Sequence, residues 1–220
     1  MASTKASQTG SSAALPVILG GYDSVASGAM SGASGAAWHR RSQAREIMTV
    51  IVVSGAPGTG KSTVAAALAT SLRWPVLPLD TIKEALADVL GLGAEDWSDR
   101  LGDAAAEVLF RLTAQFPDVI AEGWWRGARR ERALVEFAGA AEAFCYCDPQ
   151  LAVSRMRSRH GTGRHPIHRD VINPVILDRA ATLAGTVVPL GLGAALVRVD
   201  TGQPGAPASA VAAVTAALGR

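Results

Sequence analysis

The sequence predicts an α/β fold built around a parallel β-sheet. From Thr49 onward, short runs rich in Val, Ile and Leu alternate with longer stretches that can form helices. This alternation is typical of a parallel sheet covered by helices. A length of 220 residues, 49% of them hydrophobic, is enough for one domain with its own core. A glycine-rich loop follows the first apolar run directly, at Gly55–Ser62.

This loop reads GAPGTGKS, the spacing G-x-x-x-x-G-K-[ST] of a phosphate-binding loop. Its glycines allow backbone N–H groups to turn toward a phosphate, and the helix that follows adds its positive end. Lys61 should reach the β- and γ-phosphates, and the Ser62 hydroxyl should ligate Mg²⁺. We predict that a nucleoside triphosphate binds to the consecutive residues Gly55, Ala56, Pro57, Gly58, Thr59, Gly60, Lys61, Ser62 and Thr63.

The remaining elements follow from apolar runs, helical periodicity and capping residues. Predicted strands cover 49–54, 75–79, 119–121, 143–147 and 195–199. Predicted helices cover 61–72, 81–90, 98–116, 128–138, a segment opening at Asp148-Pro149, and 207–218. Cys145 and Cys147 point to opposite faces of their strand and should be buried thiols rather than a disulfide.

Residues 1–46 form a Ser/Ala/Gly-rich lead without a sustained period, which we expect to be disordered. Met48 precedes the first strand and is a candidate start of translation. We expect residues 47–220 to make up the folded domain. The apolar cluster at 15–19 is too short for a secretory signal, and no run is long enough to span a membrane. We expect a cytoplasmic protein, because cysteines that stay as buried free thiols indicate a reducing compartment.

Carboxylates stand at three predicted strand ends, where ligands of open α/β sheets bind. Asp80 could take the proton of an acceptor hydroxyl, or could cap the following helix, and the two roles are compatible. Glu122 could hold the substrate or a Mg²⁺-bound water. Asp148, the third, begins a helix.

Aromatic and basic residues follow Glu122 at the same edge. Trp124, Trp125 and Arg126 could form an aromatic wall and a cationic anchor for the acceptor, or could be surface residues packed beneath the next helix. Lys83, one of only three lysines, lies near Asp80 and is a further candidate for contact with the substrate.

Nine arginines fall between Arg126 and Arg169. Arg155 and Arg159 share a helix face, Arg157 points elsewhere, and Arg164 lies beyond a Gly-Thr-Gly break. Arginines on a mobile cover suit phosphoryl transfer, because the transition state spreads negative charge over three oxygens. The alternative is a solvated basic helix. His165, His168 and Asp170 could order this lid, whereas metal binding by the histidines lacks further ligands at suitable spacing.

The phosphate-binding loop, the segment LDTIK at 79–83, AEG at 121–123 and the lid through Asp170 resemble the P-loop kinase branch of the P-loop NTPases. Within that branch the chain is similar to AAA_33-like proteins, chloramphenicol phosphotransferase, zeta toxins and polynucleotide kinase. The resemblance implies a three-layer fold with strand order 2-3-1-4-5, ATP with Mg²⁺ as donor, and Asp80 as base. It also implies an adenine pocket near 200–202. The chain departs from the pattern in lacking a clean second Walker motif.

We therefore expect an ATP-dependent kinase that phosphorylates a hydroxyl of a small molecule, such as an antibiotic, nucleoside or sugar. Lys61, Asp80, Arg155, Arg159 and Arg164 would carry catalysis. One alternative is a nucleotide or polynucleotide kinase, although a net charge of +2 argues against a long nucleic-acid groove. The other alternative is an ATP-dependent regulatory switch, for which a base-specificity motif such as N-K-x-D is absent from the sequence. The oligomeric state stays open.

Overall fold

A computed structural model describes residues 49–159, 163–168 and 174–220. The lead at 1–46, Met48, residues 161 and 162 of the Gly-Thr-Gly break, and Asp170 lie outside the described residues. In the part of the chain that is described, no helix is long and apolar enough to cross a membrane.

The described chain forms a five-stranded parallel sheet in the order β2-β3-β1-β4-β5. The strands are β1 (Thr49–Ser54), β2 (Val76–Pro78), β3 (Asp118–Glu122), β4 (Ala141–Tyr146) and β5 (Leu196–Asp200). The predicted fold class and strand order are confirmed. In register, Val53 of β1 lies opposite Glu122 of β3 and Ser54 lies opposite Phe144 of β4, so these strand ends meet at one edge.

The helices connect the strands in sequence order. They are α1 (Lys61–Leu72), α2 (Leu79–Leu90), α3 (Glu95–Thr113), α4 (Ala128–Glu136), α5 (Pro149–Ser158), α6 (Pro174–Thr186) and α7 (Ala206–Ala217). A short 3₁₀ turn at Pro166–His168 and the helix α6 were not predicted. Asp148 caps α5 as expected, because its carboxylate accepts hydrogen bonds from the N–H groups of Gln150 and Leu151.

Strand β1 is buried on both faces, and its alternating side chains enter two separate cores. Ile51 and Val53 pack in a core with the helices α1 and α7. Val50 and Val52 pack on the other face against α3, α4 and the aromatic residue Trp125. The sheet is therefore the middle of three layers, and the loop after β1 is held between two packed faces.

The two cysteines are buried thiols, as predicted, although β4 ends before Cys147. Burial raises the pKa of Cys145 to about 12, so this thiol is chemically inert at neutral pH.

Candidate active site

The phosphate-binding loop fits tightly against β4 and α5. Gly55 has a φ of +139°, and a Cβ atom there would lie 2.2 Å from the carbonyl oxygen of Cys145. Gly58 has a φ of +80°, and its Cβ would lie 2.4 Å from the carbonyl oxygen of Ala152. Only glycine fits these two positions, because any side chain would clash with the backbone of β4 or α5.

The loop closes on itself through two hydrogen bonds to one carbonyl. The Thr59 hydroxyl and the Lys61 ammonium donate to the oxygen of Ala56 at 2.8 Å and 2.9 Å. Gly60 is the N-cap of α1 and has no side chain to occupy the first N–H groups of the helix. These N–H groups and a partly buried lysine fit the phosphates of a nucleoside triphosphate.

Glu122 lies at the end of β3 beside the loop and is 95% buried, with 5% of its surface exposed. The Ser62 hydroxyl lies close enough to this carboxylate to act on its pKa. Burial raises the pKa of Glu122, and the charge of Asp80 adds to this, while Lys61 opposes it. The Ser62 hydroxyl and the Glu122 carboxylate are oxygen donors of the kind that Mg²⁺ prefers. In the described residues, no group of three or more His, Cys, Asp or Glu side chains could hold a metal by itself.

Asp80 lies in the first turn of α2, and its side chain is 53% exposed. Pro78 occupies the N-cap, so the structure does not bear out the alternative that Asp80 caps this helix. Its neighbours are mostly cationic. Partial burial raises the pKa of Asp80, but nearby positive charges have the larger combined effect and hold this pKa below its ordinary value. These charges belong to His168, Lys61, Arg164 and Lys83. Asp80 is therefore an ionised carboxylate at neutral pH.

A cavity of about 280 Å³ opens on the other side of the loop, between α1, α5 and the start of α7. Arg155 lines it and donates to the hydroxyl and carbonyl oxygens of Thr201 at 2.9 Å and 2.8 Å. The Thr201 hydroxyl in turn donates to the carbonyl of Thr59. The lining of the cavity includes Thr201, in the region near 200–202 where the resemblance implies an adenine pocket, and we name it the nucleoside cavity after that expectation. Arg159 lines the same cavity, and its charge also acts on Glu122.

Residues 163–168, here called the lid segment, lie along one face of α2. Three acidic residues spaced four apart on this helix meet three basic residues of the lid segment: Asp80 with Arg164 at 3.6 Å, Glu84 with His168 at 2.6 Å, and Asp88 with His165 at 3.0 Å. Ile167, 1% exposed, packs with Ala87 and Leu101 between these contacts. The lid segment is therefore docked by both charge and apolar packing.

A second polar region lies between α2, α3 and the loop before α4. We call it the acceptor side and define it by Lys83, Ser98, Trp124, Arg126 and Arg129. The Lys83 ammonium donates to the Ser98 hydroxyl at 2.8 Å, and this hydroxyl donates to the carbonyl of Ile167 in the lid segment. The Arg126 guanidinium lies 5.1 Å from the ring centre of Trp124, a cation–π contact.

The structure separates the predicted residues into three neighbouring groups. Lys61, Ser62, Glu122, Asp80 and Arg164 meet around the end of the phosphate-binding loop. Arg155 and Arg159 line the nucleoside cavity, while Lys83, Trp124 and Arg126 form the acceptor side. Arg157 is exposed, as its helix position indicates, and Trp125 packs in the core between Phe110 and Phe137.

Sequence reasoning missed two residues. Arg129, whose side chain is 11% exposed, faces Asp103 from α4. Glu142, 2% exposed, accepts hydrogen bonds from the Ser54 hydroxyl at 2.5 Å and from the N–H groups of Leu190 and Gly191. Arg129 looked like any member of a charged helix, and Glu142 like an interruption of an apolar run. Neither had a local signal that could have identified it.

The sheet order and the loop after β1 define the class of protein: a P-loop NTPase of the kinase branch. A sequence model of the AAA_33 family, described as an AAA domain, matches residues 50–176, and the chain belongs to this family. No curated protein matches the sequence significantly.

Solved structures of kinases are also similar to this chain. A structure described as a putative kinase from Chloroflexus aurantiacus J-10-fl shares 31% identity over 74% of this chain and 95% of its own, with a TM-score of 0.66. A gluconokinase from Sinorhizobium meliloti 1021 shares 22% identity over 80% and 94% of the two chains, with a TM-score of 0.53. A shikimate kinase from Acinetobacter baumannii shares 22% identity over 81% and 97%, with a TM-score of 0.55. These last two likenesses are to the fold.

Proposed function

We propose that this protein is an ATP-dependent kinase that transfers the γ-phosphoryl group to a hydroxyl of a small molecule. The observation that carries the proposal is the position of Asp80. An ionised carboxylate stands beside the phosphate-binding loop, and Lys61 and Arg164 lie near enough to lower its pKa. The Asp80 carboxylate is thus negatively charged beside the loop that binds the phosphates, where it can accept the proton of an acceptor hydroxyl.

The proposed step is a direct displacement at phosphorus. The acceptor oxygen forms a bond to the γ-phosphorus, and the bond from that phosphorus to the bridging oxygen breaks. The bridging oxygen leaves with the bonding electron pair as part of ADP, and the hydroxyl proton passes to Asp80. Mg²⁺, when bound, neutralises charge on the phosphate oxygens, and Ser62 and Glu122 are the residues that would hold it.

The three arginines have different roles in this proposal. Arg164 is close to Asp80 and can donate to the oxygens of the transferring group. Arg155 holds Thr201 at the nucleoside cavity, so its part is in binding the nucleotide. Arg159 lies between these two regions. The names of the structural neighbours support the kinase proposal as a whole, since gluconokinase and shikimate kinase are kinases of small molecules.

A screen for acceptor-dependent ADP release tests the proposal. The protein is incubated with Mg·ATP and aminoglycosides, nucleosides, sugars, hydroxy acids or short oligonucleotides, and the phosphorylated product is identified by mass spectrometry. We expect one small-molecule class to raise ADP release and to gain a phosphoryl group. Lys61→Ala should abolish this transfer, while Arg111→Ala, which removes an exposed arginine of α3, should leave it unchanged.

Two results would overturn the proposal. One is transfer by Lys61→Ala at the rate of the wild type. The other is ATP hydrolysis that no acceptor changes, which is the behaviour of the regulatory switch.

A further inference from the structure

Three cationic side chains converge on the acceptor side from separate elements. Lys83 comes from α2, Arg126 from the loop after β3, and Arg129 from α4. Both arginines lie close enough to Lys83 to act on it electrostatically. Like charges brought together in a partly buried region repel one another, so this arrangement needs compensating negative charge.

Only part of that compensation comes from the residues that the structure describes. Arg126 forms a short ion pair with Asp99. Arg129 lies 3.1 Å from Asp103 and 3.7 Å from Asp99, although its Nε makes an ionic contact with Asp103 without a hydrogen bond. Asp99 and Asp103 thus contact two of the three cations. Asp80 also acts on Lys83 but is itself paired with Arg164, so four cations stand against three carboxylates here.

Lys83 is the cation left over. Its ammonium donates to the Ser98 hydroxyl, and among the described residues no carboxylate lies within 4.0 Å of it. Burial lowers the pKa of Lys83, and the charges of Arg129 and Arg126 lower it further, against the opposing carboxylates of Asp80 and Asp99. An ammonium in such a place would be stabilised by an anionic ligand.

Lys83 is also well placed relative to the proposed base. It follows Asp80 by three residues in α2, so both side chains lie on one face of the helix about 5–6 Å apart at Cβ. A single compact acceptor can therefore place a hydroxyl at Asp80 and an anionic group at Lys83. The half-buried ring of Trp124 lies beside Arg126 and offers an apolar contact for the carbon skeleton.

We propose that the acceptor is a hydroxy acid whose carboxylate binds to Lys83, with Arg126 and Arg129 supporting that charge. This inference rests on the proposed kinase function. The surplus of one positive charge fits a carboxylate, which carries one negative charge, better than a phosphate monoester, which carries about two at neutral pH. A neutral sugar or nucleoside would bring no negative charge into contact with the Lys83 ammonium.

Two matched series of compounds test the charge preference. Glycerol, glycerate and glycerol 3-phosphate share one skeleton, as do glucose, gluconate and glucose 6-phosphate. With ADP and Mg²⁺ saturating the phosphate-binding loop, thermal shift measures binding of each compound. With Mg·ATP, initial rates measure transfer. The proteins compared are the wild type, Lys83→Met and Arg111→Met, which removes an exposed cation from α3 as a control.

We expect at least one carboxylate to bind and to react with a higher kcat/KM than its neutral and phosphorylated counterparts. Lys83→Met should lower kcat/KM for that acid by about 10- to 100-fold, mainly through KM, because one charge-assisted hydrogen bond is lost. For the neutral counterpart the change should stay within about threefold, and Arg111→Met should behave as the wild type.

The inference fails if neutral or phosphorylated acceptors are preferred, if Lys83→Met responds to acids as the wild type does, or if no carboxylate in either series binds. Phosphorylation of neutral acceptors would overturn this inference while leaving the proposed kinase function intact. Conversely, Lys83-dependent binding of an acid without any phosphoryl transfer would support the carboxylate site and overturn the kinase proposal.

Discussion

The guanidinium of Arg164 lies 3.6 Å from the carboxylate of Asp80. Asp80 belongs to the first turn of α2, while Arg164 lies in the lid segment, so this contact joins two elements that are distant in sequence. The lid segment continues along α2 through two histidine–carboxylate pairs. The charge of the proposed base and the position of the lid segment are therefore linked.

Replacing Asp80 by Asn should separate catalysis from nucleotide binding. The amide cannot accept the proton of the acceptor, so kcat should fall by about 10²- to 10⁴-fold, while KM for ATP changes little. Asp178→Asn, which alters an exposed carboxylate on α6, is the matched control. An equal loss of ATP affinity would place Asp80 on the metal, and unchanged transfer would remove it from the mechanism.

Arg155 and Arg164 should affect different kinetic constants. Arg155→Ala removes the contact with Thr201 at the nucleoside cavity, so we expect KM for ATP to rise with a smaller change in kcat. Arg164→Ala should mainly lower kcat, because its contacts would strengthen in the transition state. Arg157→Ala, an exposed arginine on the same helix as Arg155, should change neither constant. If Arg155→Ala and Arg164→Ala had the same kinetic profile, this division of roles would be wrong.

The elements that the sequence predicted well are those with a local signal. The phosphate-binding loop is fixed by glycines at spaced positions, and β1 is an uninterrupted apolar run buried on both faces. The start of α2 was predicted two residues late, because Asp80 was interpreted as a residue between strand and helix, whereas it lies inside the first turn.

The features that were missed depend on tertiary contacts. Glu142 interrupts the apolar residues of β4, and the predicted strand therefore began at 143 instead of Ala141. The structure buries this carboxylate because N–H groups from Leu190 and Gly191, far along the chain, satisfy its oxygens. The lid segment docks on α2, and Arg129 approaches Asp103. These contacts also join residues that are far apart in sequence, so no local pattern predicts them.

Glu142→Ala should destabilise the domain strongly. The change leaves the buried Ser54 hydroxyl and Leu190 N–H, and the partly buried Gly191 N–H, without their acceptor, and such losses cost about 3 kcal/mol or more in total. For a domain of this size that corresponds to a fall in Tm of roughly 6–12 °C. Glu107→Ala, at an exposed ion pair on α3, should cost about 1 kcal/mol at most. Equal Tm values for the two variants would show that the buried carboxylate is dispensable.

Deleting residues 1–46 should change Tm by little. A Ser/Ala/Gly-rich segment has few large apolar side chains to bury against the domain. The comparison is between the full chain and a chain that starts at residue 47, by thermal denaturation and by ATP binding. A drop of several degrees would contradict the prediction and indicate that the apolar cluster at 15–19 packs on the folded domain.

The affinity for a carboxylate acceptor should fall as the pH rises. Lys83 binds the acid only in its charged form, and burial together with the neighbouring arginines holds the pKa of Lys83 below the ordinary value of 10.5. KM for the acid should therefore begin to rise at a lower pH than an exposed lysine would allow. KM for the neutral counterpart should show no such rise, and Tm recorded at each pH controls for unfolding. Lys83→Arg should move the rise out of the accessible range, since a guanidinium stays charged beyond about pH 12. An identical rise in Lys83→Arg and the wild type would assign the titration to another group and remove Lys83 from recognition of the acid.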